Sequence, residues 1–342
     1  KPAPGAPLPF GTIFTDHMFI MNYDEGQGWH DPRIVPYGPI EMDPSAMCLH
    51  YGQSVFEGMK AYRAQDGRIL LFRPDKNMAR LNVSNDRLCI PPIDEELAKA
   101  AIEKLVSVEK DWVPSEEGTS LYIRPFIIGV DPHIGVHPAH HLLFMVICCP
   151  VGAYYPEGLD PVKIYVETNY VRAVRGGMGF TRTAGNYAAS LKAQDEAEKQ
   201  DYTQVLWLDG VERKYIEEVG TMNVFFVIDD EVVTPALQGS ILSGITRMSC
   251  IEMLKSWGMK VSERRLSIQE VADAAAEGRL KEAFGTGTAA VISPIGHLKW
   301  GDDIMEINNG EIGPLSQKLY DTLTGIQWGK IKDEFGWTVE VK

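Results

Sequence analysis

The stretch Pro150-Val151-Gly152-Ala153-Tyr154-Tyr155-Pro156-Glu157-Gly158-Leu159-Asp160-Pro161 decides how this chain is organised. Prolines and glycines at this density interrupt any helical or strand periodicity, so the segment reads as a connection between folded parts. On its N-terminal side, 142–149 and 120–130 are rich in Ile, Val, Leu and Phe and read as strands. Further out, Asp94 is a good helix cap, followed by Leu97, Ala101, Leu105, Val108 and Trp112 at helical spacing. A helix is predicted over 75–88 and a strand over 69–72. On the C-terminal side, strands are predicted at 162–171 and 203–208 and a hairpin at 223–233, turning at Asp229-Asp230. A helix is predicted at 187–199, and another at 245–257 that stops at Gly258. Ser267-Ile268-Gln269-Glu270 is a capping box. A strand at 289–293 and a helix at 316–327 complete the series. Strands and helices interleave from about residue 40 onward, which defines an α/β protein. The expected organisation is a small α/β domain at 1–150, an interdomain loop at 151–160 and a large α/β domain at 161–342.

Composition excludes several classes. The chain has 342 residues, 44% of them hydrophobic, so it can bury substantial cores. Lys and Arg number 33 against 47 Asp and Glu, a formal charge of −14, which opposes nonspecific binding to nucleic acid or anionic membranes. The five cysteines form no Cys-x-x-Cys pair. Cys148 and Cys149 sit in an apolar run and read as small core residues on opposite faces of a strand. That run is too short to span a bilayer. The N-terminal Lys1-Pro2-Ala3-Pro4-Gly5-Ala6-Pro7 lacks the apolar core of a signal peptide, and a cytoplasmic location is expected.

Two nucleotide signatures are missing: Gly176-Gly177-Met178-Gly179 is not Gly-x-Gly-x-x-Gly, and no P-loop occurs. His137-Pro138-Ala139-His140-His141 has irregular spacing and an internal proline, so it reads as a loop with exposed imidazoles, and no metal is expected. A better signal comes from small-residue turns. Ser243-Gly244-Ile245-Thr246 opens a helix whose free N–H groups favour an anion, and Gly285-Thr286-Gly287-Thr288 offers hydroxyls and close backbone approach. With Arg80 as the cation, these turns would cradle a phosphorylated small molecule.

The chain resembles the branched-chain amino acid aminotransferases, class IV aminotransferases of fold type IV that use pyridoxal 5′-phosphate. The resemblance is carried in order by seven motifs. They are His50-Tyr51-Gly52-Gln53-Ser54-Val55-Phe56-Glu57-Gly58-Met59-Lys60-Ala61-Tyr62-Arg63, Phe72-Arg73-Pro74 with Asn77-Met78-Ala79-Arg80, Leu121-Tyr122-Ile123-Arg124-Pro125, Gly185-Asn186-Tyr187-Ala188-Ala189-Ser190-Leu191, Glu218-Val219-Gly220-Thr221-Met222-Asn223, Gly244-Ile245-Thr246-Arg247 and Phe284-Gly285-Thr286-Gly287-Thr288-Ala289-Ala290. It implies a two-domain α/β fold like that of D-amino acid aminotransferase, and reversible amino transfer between leucine, isoleucine or valine and 2-oxoglutarate in branched-chain amino acid biosynthesis. It further implies a homodimer acting on amino acids and 2-oxo acids. Arg80, Ile245, Thr246, Gly287 and Thr288 would bind the cofactor phosphate. Glu218 would face the pyridine nitrogen, Tyr187 the ring's phenolic oxygen, and Thr221 would help seat the ring. Tyr51, Phe56, Tyr122, Tyr154 and Ala289 would line the substrate side, and Arg124 would accept the distal carboxylate of glutamate.

One position departs from the pattern. The family's Schiff-base lysine lies four residues before the Asn of Gly-Asn-Tyr, and here that position is Arg182. A guanidinium stays protonated and is a poor nucleophile, so it replaces neither the lysine's imine nor its proton shuttle. Lys192, ten residues downstream, does not take its place. The chain therefore reads as a Lys-to-Arg variant with impaired catalysis that binds pyridoxal phosphate, or its pyridoxamine form, without a covalent link. The alternatives are a non-catalytic relative that binds the same cofactor and a D-amino acid transaminase on the same fold.

Overall fold

The computed structural model describes residues 1–152 and 159–342, which form two compact units. The first comprises Lys1–Tyr154, Thr181–Ala184 and Thr324–Lys342; the second comprises Tyr155–Phe180 and Gly185–Leu323. A division into 1–150 and 161–342 thus leaves out two returns of the chain to the first unit. The physical reason for the later return is a strand: Thr338–Val341 pairs antiparallel with Ile69–Phe72. The Trp328 ring also meets Tyr62 edge-on at 4.5 Å, and Trp337 meets Phe72 at 5.7 Å.

The first unit is built on an eight-stranded antiparallel sheet. Its order is Thr338–Val341, Ile69–Phe72, Met59–Arg63, Ser120–Gly129, His141–Val151, His17–Asp24, Gly28–Pro36, with Ser54–Phe56 also paired to Ser120–Gly129. The hairpin His17–Asp24/Gly28–Pro36 lies before residue 40, where the sequence pattern predicts no element. Its turn uses Gly26 and Gly28, both in the left-handed region that glycine tolerates. Strand alternation sends Cys148 into the main core and Cys149 to the opposite face, beside Tyr122. Burial pushes both thiols up in pKa.

Two helices cover this sheet's core face. Pro74–Arg87 starts with proline at its first turn, and Glu95–Val108 is capped by Asp94 Oδ1, which accepts from Leu97 N at 2.8 Å. The inward stripe of the second differs from expectation. Leu97 and Val108 are exposed, whereas Ala98, Ala101, Ile102, Leu105 and Val106 are buried. Ala101 and Leu105 anchor the face, and the 3.6-residue period brings their immediate neighbours inward. Trp112 is buried but belongs to a separate 3-10 turn, Lys110–Trp112.

The second unit is built on a nine-stranded mixed sheet. Its order is Ile216–Val219, Gln204–Leu208, Val162–Val166, Val291–Trp300, Leu280–Gly287, Asn223–Ile228, Glu231–Thr234, Lys260–Glu263, with Asp303–Glu306 on Val291–Trp300. Val162–Val166 stops short of 171 because the Glu167 carboxylate accepts from Asn169 N and Tyr170 N and turns the chain. The helix expected at 187–199 is split into Ala184–Ala188 and Leu191–Glu198. The strand expected at 289–293 is a turn leading into the longer Val291–Trp300. Ser267 caps Ile268–Ala276 by accepting from Glu270 N, while the Glu270 carboxylate pairs with Arg264 instead of closing the box. Among the described residues no helix is long and apolar enough to cross a membrane.

Candidate active site

In the first unit, four of the expected residues come together: Phe56, Tyr122, Arg124 and Arg182. The Arg182 backbone is clamped, its N–H donating to Ser84 Oγ at 2.9 Å and its carbonyl accepting from Phe56 N at 3.0 Å. Thr181 and Thr183 on either side are buried, so Arg182 projects the other way. Its guanidinium carbon lies 4.6 Å from the Phe56 ring centroid, and that of Arg124 lies 4.4 Å from the same ring. Arg124 Nη2 donates to the Tyr122 hydroxyl at 3.1 Å. Gly58 is required by this crowding, since a Cβ there would overlap the Tyr122 hydroxyl and come within 2.9 Å of Arg182 Nη2. Tyr51 ends the short helix Met47–Tyr51 and is exposed. Tyr154 lies outside the described residues.

Two residues of this half have no role in the sequence reading. Glu57 is fully buried and accepts from Asn77 Nδ2 at 2.9 Å and from Arg80 Nη2 at 2.7 Å and Nε at 3.0 Å. It therefore fixes the guanidinium of Arg80, the residue expected at the phosphate. Glu57 stands in the quoted motif, and a buried acid needs a cation, but the sequence does not reveal that Arg80 is that cation. Lys60 lies directly opposite Tyr122 in the register and so shares its face of the sheet. Only 5% of it is exposed, and burial pushes its amine down to about 8.

Burial of Lys60 has a stability consequence. Below about pH 8 the folded and unfolded chains both carry the proton, and the cost of burying it is complete. Between about 8 and 10.5 the folded chain releases that proton while the unfolded chain keeps it, so stability rises with pH across this window. Lys60→Met is expected to remove that rise and to stabilise the protein at neutral pH by up to about 3 kcal/mol. Urea titrations of both proteins at about pH 7 and pH 10, either side of the window, check this; equal pH slopes would refute it.

In the second unit, Glu218 is the organising residue. It is 3% exposed on Ile216–Val219; Leu242 N donates to its Oε1 at 2.9 Å, and Arg172 Nε lies 2.8 Å from Oε2. Arg172 Nη2 also donates to the carbonyls of Gly179, at 3.0 Å, and Ser240, at 2.5 Å. Asn223 Nδ2 donates to the Leu242 carbonyl at 2.9 Å, and Gly244 leaves the space a Cβ would take from Asn223 Oδ1. The Ser240–Gly244 loop is thereby fixed to Glu218 and to the helix it opens, Ile245–Ser256. No side chain caps that helix, whose first residues Ile245 and Thr246 are buried. Glu217, on the opposite strand face, accepts from Ser240 Oγ, and burial raises its carboxyl pKa. The adjacent acids are therefore not a solvated pair.

The remaining expected residues are also in the second unit. Tyr187 is half-buried on Ala184–Ala188, and Thr221 is exposed at the tip of the turn between Val219 and Met222. Gly287, Thr288 and Ala289 are half-buried at the turn between Leu280–Gly287 and Val291–Trp300. This turn ends in Val291 with φ 65°, a left-handed conformation that is uncommon for a β-branched residue and marks a site under strain. Lys192 is exposed and pairs with Glu196 at 3.2 Å. The donor set fits a phosphorylated pyridine: an uncapped helix start for the phosphate, and a buried acid with a permanent counter-charge for the ring nitrogen.

A family profile described as Amino-transferase class IV matches residues 54–298. Among curated proteins, the chain is 61% identical over 341 residues to the Branched-chain-amino-acid aminotransferase 2 of Bacillus subtilis, covering all of this chain and 94% of that protein. It is 48% identical to the Branched-chain-amino-acid aminotransferase of Mycobacterium tuberculosis, covering 96% and 90%. Among solved structures it resembles the Escherichia coli branched-chain amino acid aminotransferase with a TM-score of 0.81 at 27% identity, covering 96% and 100%. The branched-chain amino acid aminotransferase of Thermoproteus uzoniensis, solved with norvaline, superposes with a TM-score of 0.79 at 26% identity, covering 95% and 100%. The chain is a class IV aminotransferase. Within that class it belongs to the branched-chain-amino-acid aminotransferase family, and it has the fold of those enzymes, which use pyridoxal phosphate.

Proposed function

We propose that this chain transfers amino groups reversibly between leucine, isoleucine or valine and 2-oxoglutarate, with pyridoxal or pyridoxamine phosphate bound non-covalently, and that Arg182 holds the rate far below that of its relatives. The observation that carries the substrate reading is the cluster of Phe56, Tyr122, Arg124 and Arg182. Its aromatic walls suit a branched aliphatic side chain, and its guanidinium groups suit the second carboxylate of the alternate substrate. One pocket then serves both halves of the exchange.

The cofactor, when bound, supplies an electron sink for charge developing at the substrate's alpha carbon. Glu218 would keep the pyridine nitrogen protonated, and Arg172 would hold Glu218 in place. Ile245, Thr246, Gly287, Thr288 and Arg80 would bind the phosphate; Tyr187 would hold the phenolic oxygen and Thr221 the ring. Tyr51, Tyr154 and Ala289 would line the substrate side with Phe56 and Tyr122, as the resemblance implies. Arg124 would bind the distal carboxylate. Arg182 fills the proton carrier's place but keeps its own proton, so it contributes orientation and charge only.

Borohydride treatment followed by dialysis is the direct test. It should leave no pyridoxyl group on the chain, and leucine transamination should be slow but measurable. A pyridoxyl group fixed to a lysine, identified by peptide mass, would overturn the non-covalent reading. We further propose a homodimer; sedimentation showing a stable 38.1 kDa species at micromolar concentration would refute it.

A further inference from the structure

The loop joining Ser120–Gly129 to His141–Val151 carries Asp131, His133, His137 and His140 within ten residues, and amino transfer uses none of them. Asp131 is 4% exposed. Its Oδ1 accepts from His140 N at 3.0 Å and His141 N at 2.7 Å, which closes the loop on itself. Held there, Oδ2 lies 2.9 Å from His137 Nε2 and 3.8 Å from His140 Nδ1. One ligand-type atom from each of the three residues lies within 4.8 Å of the others. The sequence shows only irregularly spaced histidines around a proline; folding adds a buried carboxylate from six residues upstream.

The hydrogen bonding of His137 points to a cation. Its Nδ1 lies 2.8 Å from the Gly135 carbonyl and its Nε2 2.9 Å from Asp131 Oδ2, two groups that accept, while a neutral ring carries one proton. One of the two contacts is therefore satisfied only with a positive centre at hand. That centre is either a second ring proton or a metal ion. An imidazole with Nδ1–H donated to a backbone carbonyl and Nε2 aimed at a carboxylate-bearing site is the arrangement found around metal-ligating histidines. His140 brings a second imidazole to the same oxygen, and its Nε2 lies 3.8 Å from Glu25 Oε2. The His133 ring, 5.1 Å from that of His137, lies over Gly135, where a Cβ would come within 3.0 Å of its Nδ1.

We propose that Asp131, His137 and His140 form a binding site for a divalent cation of the zinc type, with water completing the coordination. Two imidazoles and one carboxylate favour zinc over calcium or magnesium, which take oxygen ligands. Zinc bonds of about 2.0–2.2 Å place ligand atoms roughly 3.3 Å apart, so His140 Nδ1 would close in from its 3.8 Å separation from Asp131 Oδ2. The ion would tie the two ends of the loop together.

The test uses tag-free protein stripped with EDTA and titrated calorimetrically with zinc chloride, then with cobalt chloride followed by visible absorption. One ion per chain is expected. His137→Gln and His140→Gln should each weaken binding at least about tenfold, whereas His141→Gln, which loses only a pairing with Asp24, should bind as before. The exposed position of His140 keeps the test valid even where His137→Gln fails to fold. No zinc uptake at micromolar concentrations would overturn the proposal, as would binding that both substitutions leave unchanged. NMR showing His137 doubly protonated at neutral pH without zinc uptake would overturn it too, by assigning the positive centre to a proton.

Discussion

Arg182→Lys is expected to raise transamination of leucine with 2-oxoglutarate by about a hundred- to ten-thousand-fold, the usual worth of a positioned general acid–base group. The backbone there is already fixed by Ser84 and by Phe56, so the new side chain inherits a defined starting point. The substitution also relieves crowding, since Gly58 now makes room for Arg182 Nη2 beside the Tyr122 hydroxyl. An amine that shares the Phe56 ring with Arg124 has a cation and apolar surface beside it, conditions that favour its neutral, nucleophilic form. Steady-state assays of both proteins, with borohydride reduction alongside, provide the check. The variant should retain a pyridoxyl group on residue 182 where the parent retains none. Vigorous turnover by the unaltered chain would show that another residue carries the proton. A folded, cofactor-loaded but inert lysine variant would show that the pocket itself has changed.

Glu218→Ala is expected to destabilise the second unit by about 3–5 kcal/mol, because it leaves Arg172 buried without its counter-charge. Combining it with Arg172→Leu should recover most of that loss, since removing both partners of a buried pair is often nearly neutral. Activity should separate from stability. In an Arg182→Lys background, the double variant should remain at least about a hundredfold slower, because the acid proposed to face the ring nitrogen is still missing. Urea titrations and leucine assays of the single and double variants decide it. A single variant as stable as its parent would remove the pair from the account of the fold, and a fully active double variant would remove Glu218 from the chemistry.

The motifs are legible in the sequence because their requirements are local. The turn at Thr221 needs Gly220 with φ 56°, and Asp94 and Ser267 cap the helices that follow them. What stays hidden depends on burial and on distance along the chain. Glu57 and Arg80 are 23 residues apart, and neither spacing nor composition marks them as partners. Arg172 follows a segment whose composition suggests strand, yet it is the cation that holds Glu218. The hairpin at His17–Asp24 is obscured because its second strand, GWHDPRIVP, contains too many polar residues to alternate cleanly. Asp131 does not stand out beside the histidines because its role comes from a carboxylate turned inward, which a linear pattern does not record.

The order in which the chain is made also follows from the two returns. Ile69–Phe72 leaves the ribosome long before Thr338–Val341, yet the two are hydrogen-bonded neighbours. Throughout synthesis of the second unit, the first therefore presents an open sheet edge of the kind that recruits foreign strands. The same connectivity rules out splitting the gene within codons 150–160 to obtain two independent proteins. The front half would lack its outer strand, Trp328 and the segment bearing Arg182, and the back half would carry all three with nothing to fold them against.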